Sequence, residues 1–302
     1  MAQTRYIKRR IKSVSNTKKV TKAMEMVAAA KMRKAVANVL ASRSYASLAW
    51  ELVKNLAAKT DSKYHPLLHQ KTKVSKIALV LVTSNRGLCG GFNTQIINRT
   101  LEYIKKDNAG GIDLVVLGKK GANFMAKRGI RIVAEFDKLD VTTQVTAVRP
   151  MARLLVEDFV AEKYDKVVLA YSDFISTLMQ KPRILELLPI TKKQADEDLG
   201  AISSPATSRQ TQESPADYEY LFEPSPDKVL NELLPRLIEM QIYQAILESD
   251  ASEHSSRMVA MRNATDAAAE MIDELTLAFN KARQASITSE LADISGGRLA
   301  ME

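Results

Sequence analysis

Residues 236–295 read RLIEMQIYQAILESDASEHSSRMVAMRNATDAAAEMIDELTLAFNKARQASITSELADIS, without one glycine or proline, and residues 2–65 form a second such stretch at the other end of the chain. At 1.5 Å per residue each would make a helix on the order of 90 Å long, far beyond an ordinary globular helix. In the C-terminal stretch Leu237, Met240, Leu247, Met258, Met261, Ala268, Ile272, Leu275, Phe279 and Ala282 recur in alternating steps of three and four, and Gln244, Ala251, His254 and Thr265 fill the same seam. That is heptad spacing, and it predicts a helix that buries a narrow stripe against another helix. The N-terminal stretch offers three apolar patches: Ile7, Ile11 and Val14, then Val20, Met24 and Val27, then Met32, Val36 and Val39. Ala28, Ala29, Ala30, Ala35 and Ala37 are small enough to let a second backbone come close. The two ends are expected to pair as a coiled coil.

Charge is distributed unevenly. The formal net charge is +9, and the excess of cations sits on Arg5, Lys8, Arg9, Arg10, Lys12, Lys18, Lys19, Lys22, Lys31, Arg33, Lys34 and Arg43, with Glu25 the lone acid among them. A solvated helix normally mixes signs, so this bias implies an acidic environment: nucleic acid, anionic lipid or an acidic protein surface. The chain has 46% hydrophobic residues but no apolar run long enough to span a bilayer, and its charged N-terminus does not read as a secretory signal. One cysteine, Cys89, permits no internal disulfide.

Between the long helices the pattern switches. Strands are expected at 77–82, 114–117, 130–136, 167–171 and 184–190, and helices at 92–106, 122–128 and 151–164. Such alternation predicts an α/β domain built on a largely parallel sheet. Residues 192–226 turn polar, with Pro205, Pro215, Pro224 and Pro226, which suits a loop or disordered excursion. The expected organisation is a coiled-coil helix at 1–65, the α/β domain at 74–190, a polar linker at 191–227 and a second coiled-coil helix at 228–302.

Chemistry is sparse. The turn Ser84-Asn85-Arg86-Gly87-Leu88-Cys89-Gly90-Gly91-Phe92-Asn93 lies between a strand and a helix, where a phosphate could bind, but its glycines match neither dinucleotide nor P-loop spacing. Tight turning and close packing explain them better. His65, His69 and His254 show no metal-ligand grouping, Cys89 has no histidine nearby in sequence, and Ser172 and Asp173 lack a triad partner. No catalytic set, cofactor or metal is expected.

Four ordered motifs carry a resemblance. Ile11-Lys12-Ser13-Val14-Ser15-Asn16-Thr17-Lys18-Lys19-Val20-Thr21-Lys22-Ala23-Met24-Glu25-Met26-Val27-Ala28-Ala29 resembles the N-terminal helix of the gamma subunit of F-type ATP synthase, and Arg86-Gly87-Leu88-Cys89-Gly90-Gly91-Phe92-Asn93 is similar to that family's central loop. Residues 255–265 resemble its C-terminal helix, and 280–291 its signature, with Ile287 inside it and Asp293 and Gly296 following. The signature usually ends in Gly-Ala where this chain has Gly296-Gly297; 192–226 is longer than usual, and the chloroplast type's cysteine-bearing insert is missing.

The resemblance implies a fold and a role. The fold is a long antiparallel coiled coil of the terminal helices with a central Rossmann-like α/β domain. The role is the central rotor shaft, a non-catalytic subunit coupling ion-driven rotation of the membrane c-ring to ATP synthesis or hydrolysis at the beta subunits. Its partners would be the alpha and beta subunits of the hexameric ring, epsilon and the c-ring, with membrane contact only through the complex, as a peripheral protein at the cytoplasmic face of a bacterial inner membrane. Met24 falls where the family has its coupling methionine, and Arg257, Gln284, Thr288 and Glu290 fall where its C-terminal helix meets the ring. The rival reading is a basic coiled-coil nucleic-acid-binding protein, disfavoured because only Tyr6 and Tyr45 supply aromatic rings near the basic run.

Overall fold

The computed structural model describes residues 2–59, 65–69, 71, 74–106, 111–138, 144–190 and 226–299. The expected polar excursion at 192–226 lies almost wholly outside them. The chain divides into two compact units, Met1–Ala30 with Arg257–Glu302, and Lys31–Ser256. Both terminal helices, α1 (Ala2–Lys59) and α5 (Pro226–Leu299), contribute to each unit.

Helix α5 starts earlier than the breaker-free stretch, at Pro226, and continues through Pro235. A proline there forfeits one intrahelical hydrogen bond, but the apolar face runs on across it: Leu230, Leu234, Leu237, Ile238, Ile242, Ala245 and Ile246 are all buried. Tertiary burial on both sides outweighs one lost bond. The same helix includes Gly296 and Gly297.

In the larger unit five strands form one sheet in the order β3-β2-β1-β4-β5. These are β1 (Lys76–Val82), β2 (Gly111–Leu117), β3 (Ile132–Phe136), β4 (Lys166–Phe174) and β5 (Gln180–Leu188). The first four are mutually parallel and β5 runs antiparallel to β4, so the expected strand at 184–190 is the return arm of a hairpin. Strand β1 is buried from Ile77 to Val82, as a central parallel strand covered on both faces must be. Its alternate side chains feed two cores. Ala78, Val80 and Val82 pack with α4 (Val145–Val160) and the first part of α5, whereas Leu79 and Leu81 pack with α2 (Phe92–Lys106) and α3 (Lys119–Lys127). The result is a three-layer Rossmann-like domain. Helix α4 begins at Val145, six residues before the expected start at 151, because Pro150 sits inside its second turn instead of marking its boundary.

Also in this unit, Ala35 and Val39 of α1 cluster with Leu247 and Ala251 of α5, and Ser42 donates a hydrogen bond to Gln244 Oε1. Ascending numbers on one helix meet descending numbers on the other, so the pair is antiparallel.

In the smaller unit the heptad seam is visible as burial. Met261, Thr265, Ala268, Ile272, Leu275, Phe279, Ala282 and Ser286 are buried or half-buried, in unbroken steps of four and three, between mostly exposed neighbours. On α1 the corresponding series is Ile7, Ile11, Val14, Lys18, Thr21, Glu25 and Ala28. Thr265 Oγ1 donates to Thr21 Oγ1 at 2.8 Å. From that contact α5 keeps its seam for 21 more residues, and α1 extends 19 residues back to Ala2, the match that an antiparallel pair requires. One expected patch is corrected: Val20 and Val27 are 58% and 57% exposed. The phase set by Ile7, Ile11 and Val14 instead brings Thr21 and Ala28 inward, with Met24 and Glu25 half-buried beside them. Small side chains at the seam let two backbones approach, and valines at the next positions are turned out.

Candidate functional site

In an open α/β sheet a ligand site forms at the carboxyl ends of the strands, where the strand order reverses. In this sheet the reversal lies between β1 and β4. The turn from β1 to α2 stands at that crevice, and its polar side chains are bonded within the protein.

The turn is knitted to itself. Asn93 Oδ1 accepts from Ser84 N at 3.0 Å, and Asn93 Nδ2 donates to Ser84 Oγ at 2.7 Å and to Cys89 Sγ at 3.2 Å. Ser84 Oγ donates to the Arg86 carbonyl at 2.6 Å. Gly90, at φ 55°, takes the left-handed conformation that closes the turn, as does the exposed Leu88 at φ 62°. Cys89 is a small packed thiol, 2% exposed. The neighbouring turn from β2 to α3 is equally committed. Gly121 N donates to Thr83 Oγ1 (2.9 Å), Lys120 N to the Ser84 carbonyl (3.0 Å) and Lys119 N to Asn85 Oδ1 (3.3 Å), so the first amides of α3 face the protein.

The crevice itself is filled by α5. Ser256 Oγ donates to the Cys89 carbonyl at 2.7 Å, Ser252 Oγ to the Ser172 carbonyl at 3.1 Å, and Ser255 Oγ to the Thr177 carbonyl. One helix thus satisfies carbonyls from the β1–α2 turn, from β4 and from the β4–β5 hairpin. Beside these serines Lys138, just past β3, is buried. Its ammonium meets Asp250 at 2.7 Å and Glu253 at 2.6 Å, and lies 6.0 Å from the centre of the Phe92 ring. Burial alone would push the Lys138 pKa down; the two carboxylates more than reverse this, and the net direction is up. Asn85 Nδ2 donates to the Lys138 carbonyl at 2.7 Å, tying the β1–α2 turn to the same junction.

The residues singled out in the sequence are scattered. Arg86, Gly87, Gly90 and Gly91 share the turn just described, whereas Met24 and Arg257 are half-buried on the smaller unit. Gln284, Thr288 and Glu290 are exposed on α5; Thr288 Oγ1 donates to the Gln284 carbonyl and Ser286 Oγ to Glu290 Oε1. Ile287 is 49% exposed. Asp293 and Gly296 belong to α5, but their side-chain surroundings lie outside the described residues. Lys138, Asp250, Glu253, Ser252 and Asn93 went unassigned from sequence. The one available signal was polarity on the heptad-bearing helix, where 248–256 is interrupted by serines and acids.

Among the described residues no group of three His, Cys, Asp or Glu could hold a metal ion, and no helix is long and apolar enough to cross a membrane.

A paired-helix protein whose Rossmann-like crevice is plugged by its own helix belongs to a mechanical class, in which the sheet domain is a body attached to a long helix. A family model described as ATP synthase matches residues 3–301. The ATP synthase gamma chain of Chloroflexus aurantiacus is 42% identical over 305 residues, covering 100% of this chain and 99% of that protein. That of Dehalococcoides mccartyi strain BAV1 is 44% identical over 303 residues, covering 100% of both. The chain belongs to the ATP synthase gamma-chain family. Its fold is shared with a chain of the Euglena gracilis mitochondrial ATP synthase (TM-score 0.66, 18% identity, 99% of this chain and 95% of that one). A central-stalk chain of the Tetrahymena thermophila enzyme is also similar (TM-score 0.60, 24% identity, 81% and 99%).

Proposed function

We propose that the chain is the central rotor shaft of an F-type ATP synthase and does no chemistry itself: it carries rotation between a membrane c-ring and the catalytic beta subunits. The observation that carries this reading is the surface of the smaller unit. Past Ser286 the α5 seam ends, and Ile287, Leu291 and Ile294 form a stripe 49%, 60% and 70% exposed. On α1 Val20, Met26 and Val27 also face outward, among exposed lysines. Apolar stripes on a charged helix pair call for an enclosing protein partner, and the basic run calls for acidic segments in it. A ring of alpha and beta subunits supplies both; a nucleic acid would leave the apolar stripes wet.

In this reading Met24, Arg257, Gln284, Thr288 and Glu290 meet the ring, and the α/β domain meets epsilon and the c-ring. The protein sits peripherally at the cytoplasmic face of a bacterial membrane. An asymmetric shaft in a nearly threefold ring would favour a different conformation at each beta subunit, a coupling made of differential contact energy. A helical segment toward each end of the sequence, α1 and α5, with the sheet-bearing body between them in sequence, fits that division of labour.

Cysteines placed at the exposed Ser289 and in the beta subunit should cross-link on oxidation in the assembled complex. Hydrolysis-driven proton pumping should stop and return on reduction. Efficient linking of Ser289→Cys to a c subunit instead would refute the orientation.

A further inference from the structure

Lys138, Asp250 and Glu253 form a buried charge cluster far from any chemistry. Their side chains are 4%, 14% and 6% exposed. Burying ions is costly, and such clusters can often be replaced by apolar side chains without loss of stability. What an ion cluster supplies that apolar packing cannot is direction. The position of this cluster gives that property a use. Along α5 the buried side chains are largely apolar from Leu230 to Leu247, then turn polar: Glu248, Ser249, Ser252, Glu253 and Ser255. The change comes in the last turns of α5 before the larger unit ends at Ser256.

Apolar packing holds a helix against a body but only weakly opposes rotation about the helix axis. Asp250 and Glu253 are three residues apart, on one face, and both reach one ammonium fixed at the end of β3. Ser252, Ser255 and Ser256 reach three further backbone carbonyls on the same edge of the sheet. Directional contacts at four points around the strand ends fix the azimuth of α5.

We propose that Lys138, with Asp250 and Glu253, is a torsional lock: a positioning residue that sets the stiffness with which the α/β domain turns α5. This rests on the rotor reading above. The lock belongs to the path of torque, so its loss should soften rotation without touching hydrolysis.

The test uses the whole ATP synthase, immobilised by its ring, with a probe particle on the α/β domain. Angular fluctuation of the probe is recorded while the shaft is halted between turnovers, because its variance is inversely related to torsional stiffness. Three variants are compared: Lys138→Met, Lys138→Arg, and the neutral triple Lys138→Met with Asp250→Asn and Glu253→Gln, which removes the three charges of the cluster together. The lock predicts broader fluctuation in Lys138→Met and in the triple variant, near-native fluctuation in Lys138→Arg, and an unchanged hydrolysis rate. If Lys138→Met fails to assemble, the triple variant decides. A triple variant as stiff as wild type would overturn the proposal, since any defect of Lys138→Met would then come from its stranded carboxylates. Absence of rotation in the wild-type complex would instead refute the rotor reading.

Discussion

Replacing Gly118 by alanine should damage the α/β domain far more than the same change at Gly129, and the difference can be worked from geometry. Both glycines have positive φ, 104° and 71°. At Gly129 a new Cβ meets nothing within 4 Å; the cost is left-handed strain of about 1–2 kcal/mol, partly offset by about 0.4–1 kcal/mol from a stiffer unfolded chain. At Gly118 the Cβ would lie 2.3 Å from the Thr83 carbonyl oxygen and 2.9 Å from Thr83 Oγ1. Backbone must move by about 1 Å to restore ordinary contact, an overpacking cost of about 1–3 kcal/mol on top of about 1–3 kcal/mol of strain. With the same unfolded-state offset at both positions, the expected loss is about 1–5.6 kcal/mol at Gly118 and about 0–1.6 kcal/mol at Gly129. Thr83 also holds Gly121 N and the Leu117 and Gly118 carbonyls, so the damage should spread to the turn that docks on α5. Urea unfolding of the purified chain, followed by circular dichroism, reads the difference directly. If the two variants unfold at the same urea concentration, the close approach of the β2–α3 turn to Thr83 is wrong.

Met24→Lys should leave the complex assembled and hydrolysing but lower the protons pumped per ATP, because a further cation beside Lys18, Lys19 and Lys22 could pair with acidic ring segments and favour one rotary position; an unchanged ratio in membrane vesicles would count against ring contact at this residue. Asp165 accepts from Lys71 Nζ at 2.9 Å and from Ser75 N and Lys76 N at 2.8 and 3.1 Å, which holds its carboxyl below the ordinary value of 3.8. Its stabilisation is therefore complete above 3.8 and lost as pH falls through the lower folded value. Asp165→Asn should cost about 1–2 kcal/mol at neutral pH and flatten the acid limb of the stability curve; an acid limb identical to wild type would refute the assignment.

How much of this was legible in the sequence depended on how local the deciding force was. The seam of α5 could be read residue by residue, since a heptad is a local pattern and its less hydrophobic members, Gln244, Ala251, His254 and Thr265, were placed by spacing alone. The seam of α1 was misread at Val20 and Val27 for the opposite reason. Hydrophobicity marked these valines as inward, but the phase of a coiled coil is set over many turns, and it leaves Val20 and Val27 on the outer face. Pro150 lies inside α4, which starts six residues before the expected 151, because burial of the surrounding face outweighs one lost hydrogen bond.

The site was less legible because its parts come from four separated segments. Asn85, Asn93, Lys138, Ser172 and α5 residues 250–256 meet only once the sheet order is known, and no spacing rule connects 138 to 250. Given the order, the logic is compact. A doubly wound sheet makes a crevice whether or not a ligand is wanted, since the strands' carboxyl ends and their turns diverge there. The open carbonyls and amides of that crevice need partners. In a nucleotide-binding relative of the architecture a ligand and water would supply them; in this chain a helix with serines at 252, 255 and 256 does so, and Lys138 is drawn in by Asp250 and Glu253. The same backbone geometry that elsewhere holds a cofactor thus becomes the mounting by which a sheet domain grips a long helix. The Gly-rich turn takes glycine at position 90 because of its φ of 55°.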